Sequence, residues 1–136
     1  MNFNSVLIGS ENPDKLRDYY TKVLGKPVFD MGGYFGWQIG SGFFTVGPHD
    51  QVKGQNKEPG RVILNFETPD VKGEFEKLRE AGATVVKEPY SMADDQSGTE
   101  AWIATFSDPD NNYFQLMSPM PAPESAERED AAASAS

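Results

Sequence analysis

The chain has 136 residues, a net charge of −9, one histidine and no cysteine. This length fits one domain with a hydrophobic core, and the charge argues against a nucleic-acid partner, which would need a basic face. The missing cysteine excludes disulfides and thiolate chemistry. Because no apolar run reaches the ~20 residues of a membrane helix and the N-terminus lacks a signal-peptide pattern, we expect a cytoplasmic protein that binds no membrane.

The first half of the chain predicts a strand, a helix and three further strands. Residues 5–9 form an apolar run typical of a strand. Asn12 and Pro13 then suit the N-cap and first position of a helix, and Gly25 suits its end. The extended segments that follow are 26–29, 34–39 and 43–46.

The second half repeats this order, which predicts two modules. Residues 61–66 indicate a strand, Thr68 and Pro69 a helix cap, and Gly82 the end of the helix. We therefore expect helices near 13–24 and 70–81 in an α+β fold. The second module continues with predicted strands at 83–86, 101–106 and 113–117. The two modules span about 3–47 and 61–118, with a linker at 48–60 and a flexible loop at 91–99. The tail at 119–136 is rich in Pro, Ala, Ser and acids, so we predict that it is disordered.

The last predicted hairpin carries a family resemblance. Residues 108–112, Asp-Pro-Asp-Asn-Asn, predict a tight turn, and residues 113–117 alternate as a strand does. This hairpin resembles the one that ends the vicinal-oxygen-chelate superfamily, which includes glyoxalase I, fosfomycin-resistance enzymes, extradiol dioxygenases and bleomycin-resistance proteins. Residues 12–25 and 67–82 resemble its two helices. The resemblance covers about residues 3–118 and implies two βαβββ modules that form a curved mixed sheet around a cavity.

The same resemblance bears on metal binding. Metal-dependent relatives place ligands, usually His and Glu, on the first and last strands of the modules, with a glutamate seven residues after the first Asp of the turn. On the first strand of the first module the corresponding residue is Ser5, or Phe3 or Leu7 if the register moves by two. On the first strand of the second module it is Ile63 or Arg61, and Asn65 is the next residue on that face. On the last strand it is Gln115. None of these is His, Asp or Glu, so we predict no bound metal and no cofactor.

Two other titratable residues are candidates for acid–base chemistry. His49 lies beside Asp50 in a predicted loop; it is either a solvated turn residue or a proton carrier at the cavity rim. Glu100, beside Trp102, is either a surface acid at a strand end or a base in a partly apolar setting.

Aromatic residues on the predicted strands suggest a site for a small organic ligand, although the same rings could fill a core. The candidate ligand-binding residues are Ser5, Trp37, Phe44, Ile63, Trp102, Tyr113 and Gln115, with Tyr34 and Met117 also on these strands.

Several functions are compatible with this pattern. The first is a metal-independent small-molecule-binding protein similar to bleomycin-resistance proteins. The alternative is a glyoxalase-related enzyme, a lyase, isomerase or dioxygenase-like protein with an atypical or acid–base active site. A regulatory module without a ligand is a third possibility. The resemblance further implies a homodimer.

Overall fold

The computed structural model describes residues 1–91 and 101–119, which form two modules with the same order of elements. The first contains β1 (Val6–Ser10), α1 (Pro13–Leu24), β2 (Phe29–Met31), β3 (Tyr34–Ile39) and β4 (Gly42–Pro48). The second contains β5 (Ile63–Glu67), α2 (Val71–Glu80), β6 (Thr84–Ser91), β7 (Trp102–Ser107) and β8 (Tyr113–Met117). The predicted α+β class with two βαβββ modules is confirmed.

Each module forms its own four-stranded mixed sheet. The strand orders are β1-β4-β3-β2 and β5-β8-β7-β6. The first strand of each module pairs in parallel with the last, and the remaining pairs are antiparallel. As a result β1 and β5 are each the edge strand of a sheet, and the eight strands do not form one continuous hydrogen-bonded ladder.

The helix caps define how the modules correspond. The N-cap of α2 is Asp70, whose side chain accepts a hydrogen bond from the Gly73 backbone, so the predicted cap at Thr68 is wrong. The Thr68 hydroxyl accepts the Asp70 N–H at 3.2 Å, as the Ser10 hydroxyl accepts the Asn12 N–H at 3.0 Å. Asn12 therefore corresponds to Asp70, and by the same spacing Ser5 corresponds to Ile63.

Both helices cover one face of their sheets, and these faces merge into one core. The buried face of α1 carries Leu16 and Tyr20. The Tyr20 ring contacts Phe44 in the first sheet and Phe114 in the second, with ring centres 5.3 and 5.9 Å apart. Phe44 also lies 5.9 Å from Phe66. The core therefore holds the two modules together, because aromatic rings from both sheets contact each other directly.

The turn at 108–112 fastens the second module to α1. Asp108 is buried and accepts hydrogen bonds from the Tyr20 hydroxyl at 2.8 Å and from the backbone N–H of Asp110 and Asn112 at 2.9 Å. Asn111 takes a left-handed φ of 65°, which Asn tolerates better than most residues. The linker joins the same turn, since the Asn56 N–H donates to the Asp110 carbonyl at 2.8 Å. The predicted turn is thus also an anchor between modules.

Parts of the chain lie outside this description. Residues 92–100 and 120–136 are outside the described residues, and with them most of the predicted loop and tail, and Glu100. Among the helices of the described ranges, none is long and apolar enough to cross a membrane.

Candidate functional site

Each sheet has an open face on the side opposite the core. In β5, Leu64 and Phe66 pack against the core, so Asn65 projects from the opposite face because strand side chains alternate. Asn65 pairs with Gln115 in β8, and Gln115 pairs with Thr105 in β7. The Gln115 Nε2 donates to the Thr105 Oγ1 at 3.3 Å. We call Asn65, Gln115 and Thr105 the amide row.

Two further rows flank the amide row on the same open face. Ile63, Tyr113 and Ser107 lie on one side of it. On the other side lie Glu67, Met117 and Ile103. Three residues of the predicted ligand-binding set therefore share this face: Ile63, Tyr113 and Gln115.

The structure places both predicted tryptophans away from this face, and Phe44 lies on the core side of its own sheet. Trp37 is 1% exposed, stacks on Phe44 with ring centres 5.3 Å apart and donates its Nε1–H to the Gly25 carbonyl at 2.9 Å. Trp102 faces α2, where the Lys72 ammonium lies 3.8 Å from its ring centre. Ser5 is half-buried and immediately precedes β1. These side chains are not brought together with Gln115.

The open face of the first sheet is apolar and carries no charge on its central row. That row consists of Leu7, Thr45, Gly36 and Phe29. Gly36 lets the Phe43 ring lie across this row, because a Cβ at this position would be 2.6 Å from the end of the ring. Leu7 is 50% exposed and Phe29 40%. The two open faces therefore differ in character, one apolar and one crossed by amides.

A cleft of about 540 Å³ lies between the two modules. One wall is formed by residues just before and within β1 and by the β3–β4 hairpin, and the other by β5. Its aromatic lining consists of Phe3, Phe43, Phe44 and Phe66. Asn65 and Glu67 also line it, and neither side chain has a hydrogen-bond or ion-pair partner among the described residues. Because Asn65 belongs to both, the cleft is continuous with the amide row.

His49 lies away from this cleft. It follows β4, and its backbone N–H donates to the carbonyl of Ser10 at 3.4 Å, at the end of β1 opposite to Phe3. Its Nδ1 accepts the Gln51 N–H at 3.2 Å and lies 3.7 Å from Asp50. This geometry is that of a turn residue, and it does not bring His49 to the cleft lining.

Three buried or half-buried acidic groups with raised pKa values also lie outside the cleft. Burial raises the pKa of Tyr19 to about 12, and burial raises the pKa of Tyr20 and of Asp108 above their ordinary values. Tyr19 donates to the Ser107 carbonyl at 2.8 Å, beside the contact between Tyr20 and Asp108. These shifts therefore arise from burial where α1 packs against the second module.

Comparison with known proteins places this arrangement in a family. Residues 5–117 match the model of the glyoxalase-like domain. The chain belongs to the glyoxalase-like domain family. This result confirms the resemblance to the vicinal-oxygen-chelate superfamily. No curated protein matches this glyoxalase-like domain.

Solved structures share the fold of this glyoxalase-like domain at low sequence identity. A "conserved domain protein" is 21% identical with a TM-score of 0.70, over 88% of this chain and 100% of that chain. A glyoxalase/bleomycin resistance protein from Albidiferax ferrireducens T118 is 18% identical with a TM-score of 0.63, over 86% and 98%. A glyoxalase-related enzyme from Fulvimarina pelagi is 16% identical with a TM-score of 0.66, over 90% and 94%.

The donor set of this glyoxalase-like domain does not suit the divalent metal that the resemblance implies for many relatives. Within residues 1–91 and 101–119, no three His, Asp or Glu side chains are grouped to hold a metal ion. The corresponding strand positions carry Ser5 or Leu7, Ile63 or Asn65, and Gln115. These are neutral groups, whereas divalent ions are held by carboxylate or imidazole ligands. We therefore assign no step of chemistry to a metal.

Some site residues were not among the predicted ligand-binding set. Phe43, Glu67 and Thr105 were missed, and Asn65 was considered only as a metal-ligand position. Period-two alternation places Asn65 and Glu67 on the same face of β5. It also places Gln115 on one face of β8, but it does not show that the two faces are continuous. The pairing of β5 with β8 was the missing information, because it is made between residues far apart in the sequence.

Proposed function

We propose that this glyoxalase-like domain binds a small organic molecule without a metal ion, in the cleft between its modules and against the amide row. The observation that carries this proposal is the pairing of two neutral amides, Asn65 and Gln115, beside an aromatic-lined cleft. Gln115 occupies the last-strand position at which metal-dependent relatives carry a glutamate, and Asn65 is the next residue after Ile63 on the same face of β5.

The chemistry of the amide row favours recognition of a polar group on the ligand. An amide offers both a donor and an acceptor. The Thr105 hydroxyl holds the Gln115 amide group through the Nε2, and the Asn65 amide has no partner among the described residues. A ligand can therefore hydrogen-bond to Asn65 without first breaking a protein contact, while Gln115 is already oriented.

The lining of the cleft favours an apolar body for the same ligand. Phe43, Phe44 and Phe66 supply aromatic surface, and aromatic rings contribute most of the contact area in many small-molecule sites. A volume of about 540 Å³ lies within the roughly 300–1,000 Å³ typical of such sites. Shape and polarity together support a molecule with one polar end and one apolar end.

The enzyme alternative would need a proton-transfer group in the cleft. Glu67 is the titratable residue that lines it, so acid–base chemistry there would depend on this carboxylate. Isomerisation of a thiohemiacetal, abolished by Glu67→Gln, would favour the enzyme over the binding protein.

A homodimer and a cytoplasmic location stay predictions. The exposed apolar face around Leu7 and Phe29 supports the dimer.

Elemental analysis of protein purified without chelator tests the metal-free part of the proposal. We expect less than stoichiometric Zn, Ni, Fe or Mn, because the neutral side chains at the strand positions cannot replace the hydration shell of these ions. Added divalent metal should also leave the melting temperature unchanged, since a ligand that binds only the folded state would raise it. A stoichiometric metal that resists dialysis would overturn the metal-free reading.

Replacing Gln115 with Leu should weaken ligand binding by about 1–3 kcal/mol, because the ligand's polar group would be buried without a partner. The ligand is the best hit of a screen of neutral and charged organic fragments, and its affinity is measured by titration calorimetry. Gln51→Leu is the matched control, since Gln51 lies exposed in the loop after β4. Equal losses in both variants, or none in either, would remove Gln115 from the site.

A further inference from the structure

The described lining of the cleft carries one charged side chain, and it is negative. Among the described residues that line the cleft, Glu67 is the one ionisable residue, and no Lys or Arg is present. Its carboxylate forms no ion pair and accepts no hydrogen bond within the described part of the chain. Other acids, such as Glu58, Glu74 and Glu76, are paired with nearby basic side chains. The Glu67 carboxylate is therefore available to a ligand.

The surroundings of Glu67 favour a cation over a neutral or anionic group. A cation can interact with the carboxylate and with the faces of aromatic rings, which attract positive charge, and Phe43 and Phe66 line the same cleft. The net charge of −9 adds a long-range attraction for cations and repels anions. Within residues 1–91 and 101–119, no positive side chain in the cleft lining opposes this preference.

The positions along β5 specify how such a ligand would lie. Glu67 and Asn65 project from the same face of the strand, and Glu67 belongs to the row next to the amide row. Phe44 and Phe66 line the cleft from the core side, with ring centres 5.9 Å apart. A positive group at Glu67 thus leaves the apolar body of the ligand against the rings and a second polar group within reach of Asn65.

We propose that the cleft takes an apolar organic cation, an alkyl- or arylammonium compound whose positive group pairs with Glu67. This inference rests on the proposed function and names the chemical class of its ligand. It also predicts that binding weakens as ionic strength rises, because an exposed carboxylate is screened by salt.

Binding of three probes of similar size tests the proposal: benzylammonium, benzyl alcohol and phenylacetate. Each is titrated into ¹⁵N-labelled protein while the amide resonances of 64–67 and 40–44 are followed. We expect benzylammonium to bind more tightly than benzyl alcohol by about fivefold, as one exposed ion pair allows, and phenylacetate to bind most weakly. In Glu67→Gln the advantage of the cation over the alcohol should disappear.

Glu88→Gln serves as the matched control. Glu88 is an exposed residue in β6 that does not line the cleft. Because both variants replace one Glu with Gln, they have the same net charge. The proposal would be overturned if Glu67→Gln still bound the cation more tightly than the alcohol. It would also be overturned if both variants lost this preference equally. Equal binding of the alcohol and the ammonium in the cleft would overturn it too while leaving the proposed function intact. Failure of all three probes to shift cleft resonances would also overturn it, and the proposed function would then depend on the fragment screen.

Discussion

Replacing Trp37 with Ala should lower the free energy of unfolding by about 3–5 kcal/mol, the usual cost of removing a buried Trp. The side chain is 1% exposed and packs against Tyr20 and Phe44. Its removal leaves a large cavity between α1 and the first sheet. It also leaves the Gly25 carbonyl at the end of α1 without the indole N–H. Chemical denaturation followed by circular dichroism measures the loss.

Two further variants separate a core role for Trp37 from a ligand contact. Trp37→Phe keeps the ring contact with Phe44 and loses mainly the N–H and some area, so we expect a cost of about 1–2 kcal/mol and unchanged ligand affinity. Trp102→Ala removes a half-buried ring that faces α2 and should cost less than Trp37→Ala. A Trp37→Phe protein of full stability that no longer binds the ligand would contradict the core assignment.

Replacing Asp108 with Ala should cost about 3 kcal/mol of unfolding free energy, because several buried donors lose one acceptor at once. The Tyr20 hydroxyl and the backbone N–H groups of Asp110 and Asn112 all donate to this carboxylate. The loss should therefore affect the turn and its contact with α1 together. Asp70→Ala is the control: Asp70 caps α2 through one exposed hydrogen bond, and removal of an N-cap costs about 1 kcal/mol.

The effect of Asp108→Ala should depend on pH. Burial raises the pKa of Asp108 above its ordinary value of 3.8, although its hydrogen bonds oppose the rise. The folded chain therefore takes up this proton at a higher pH than the unfolded chain. The resulting stabilisation is complete below pH 3.8 and is lost as pH rises through the raised pKa. The difference in stability between the parent and Asp108→Ala should thus grow on acidification, and denaturation curves at several pH values will show whether it does.

Local structure of this protein is largely readable from its sequence. The predicted helix at 13–24 matches α1, and strands 34–39 and 113–117 match β3 and β8. The turn at 108–112 was also predicted, because Asp, Pro and Asn act on their own backbone. The predicted N-cap of the second helix was less exact. Thr68 and Asp70 both suit an N-cap, and in the structure α2 begins after Asp70.

The candidate site depended on contacts that local patterns do not contain. Alternation shows that Tyr34 and Phe35 lie on opposite faces of β3, but both faces carry aromatic residues, so it does not show which one meets α1. The tertiary structure buries Phe35, Trp37 and Phe44 in the core, and Phe43 and Phe44 line the cleft. Likewise, Gln115 was identified from its position after the turn, whereas its neighbour Asn65 follows from the pairing of β5 with β8. That pairing joins residues about fifty positions apart; long-range contacts of this kind are set by burial of the whole sheet, not by the local chain.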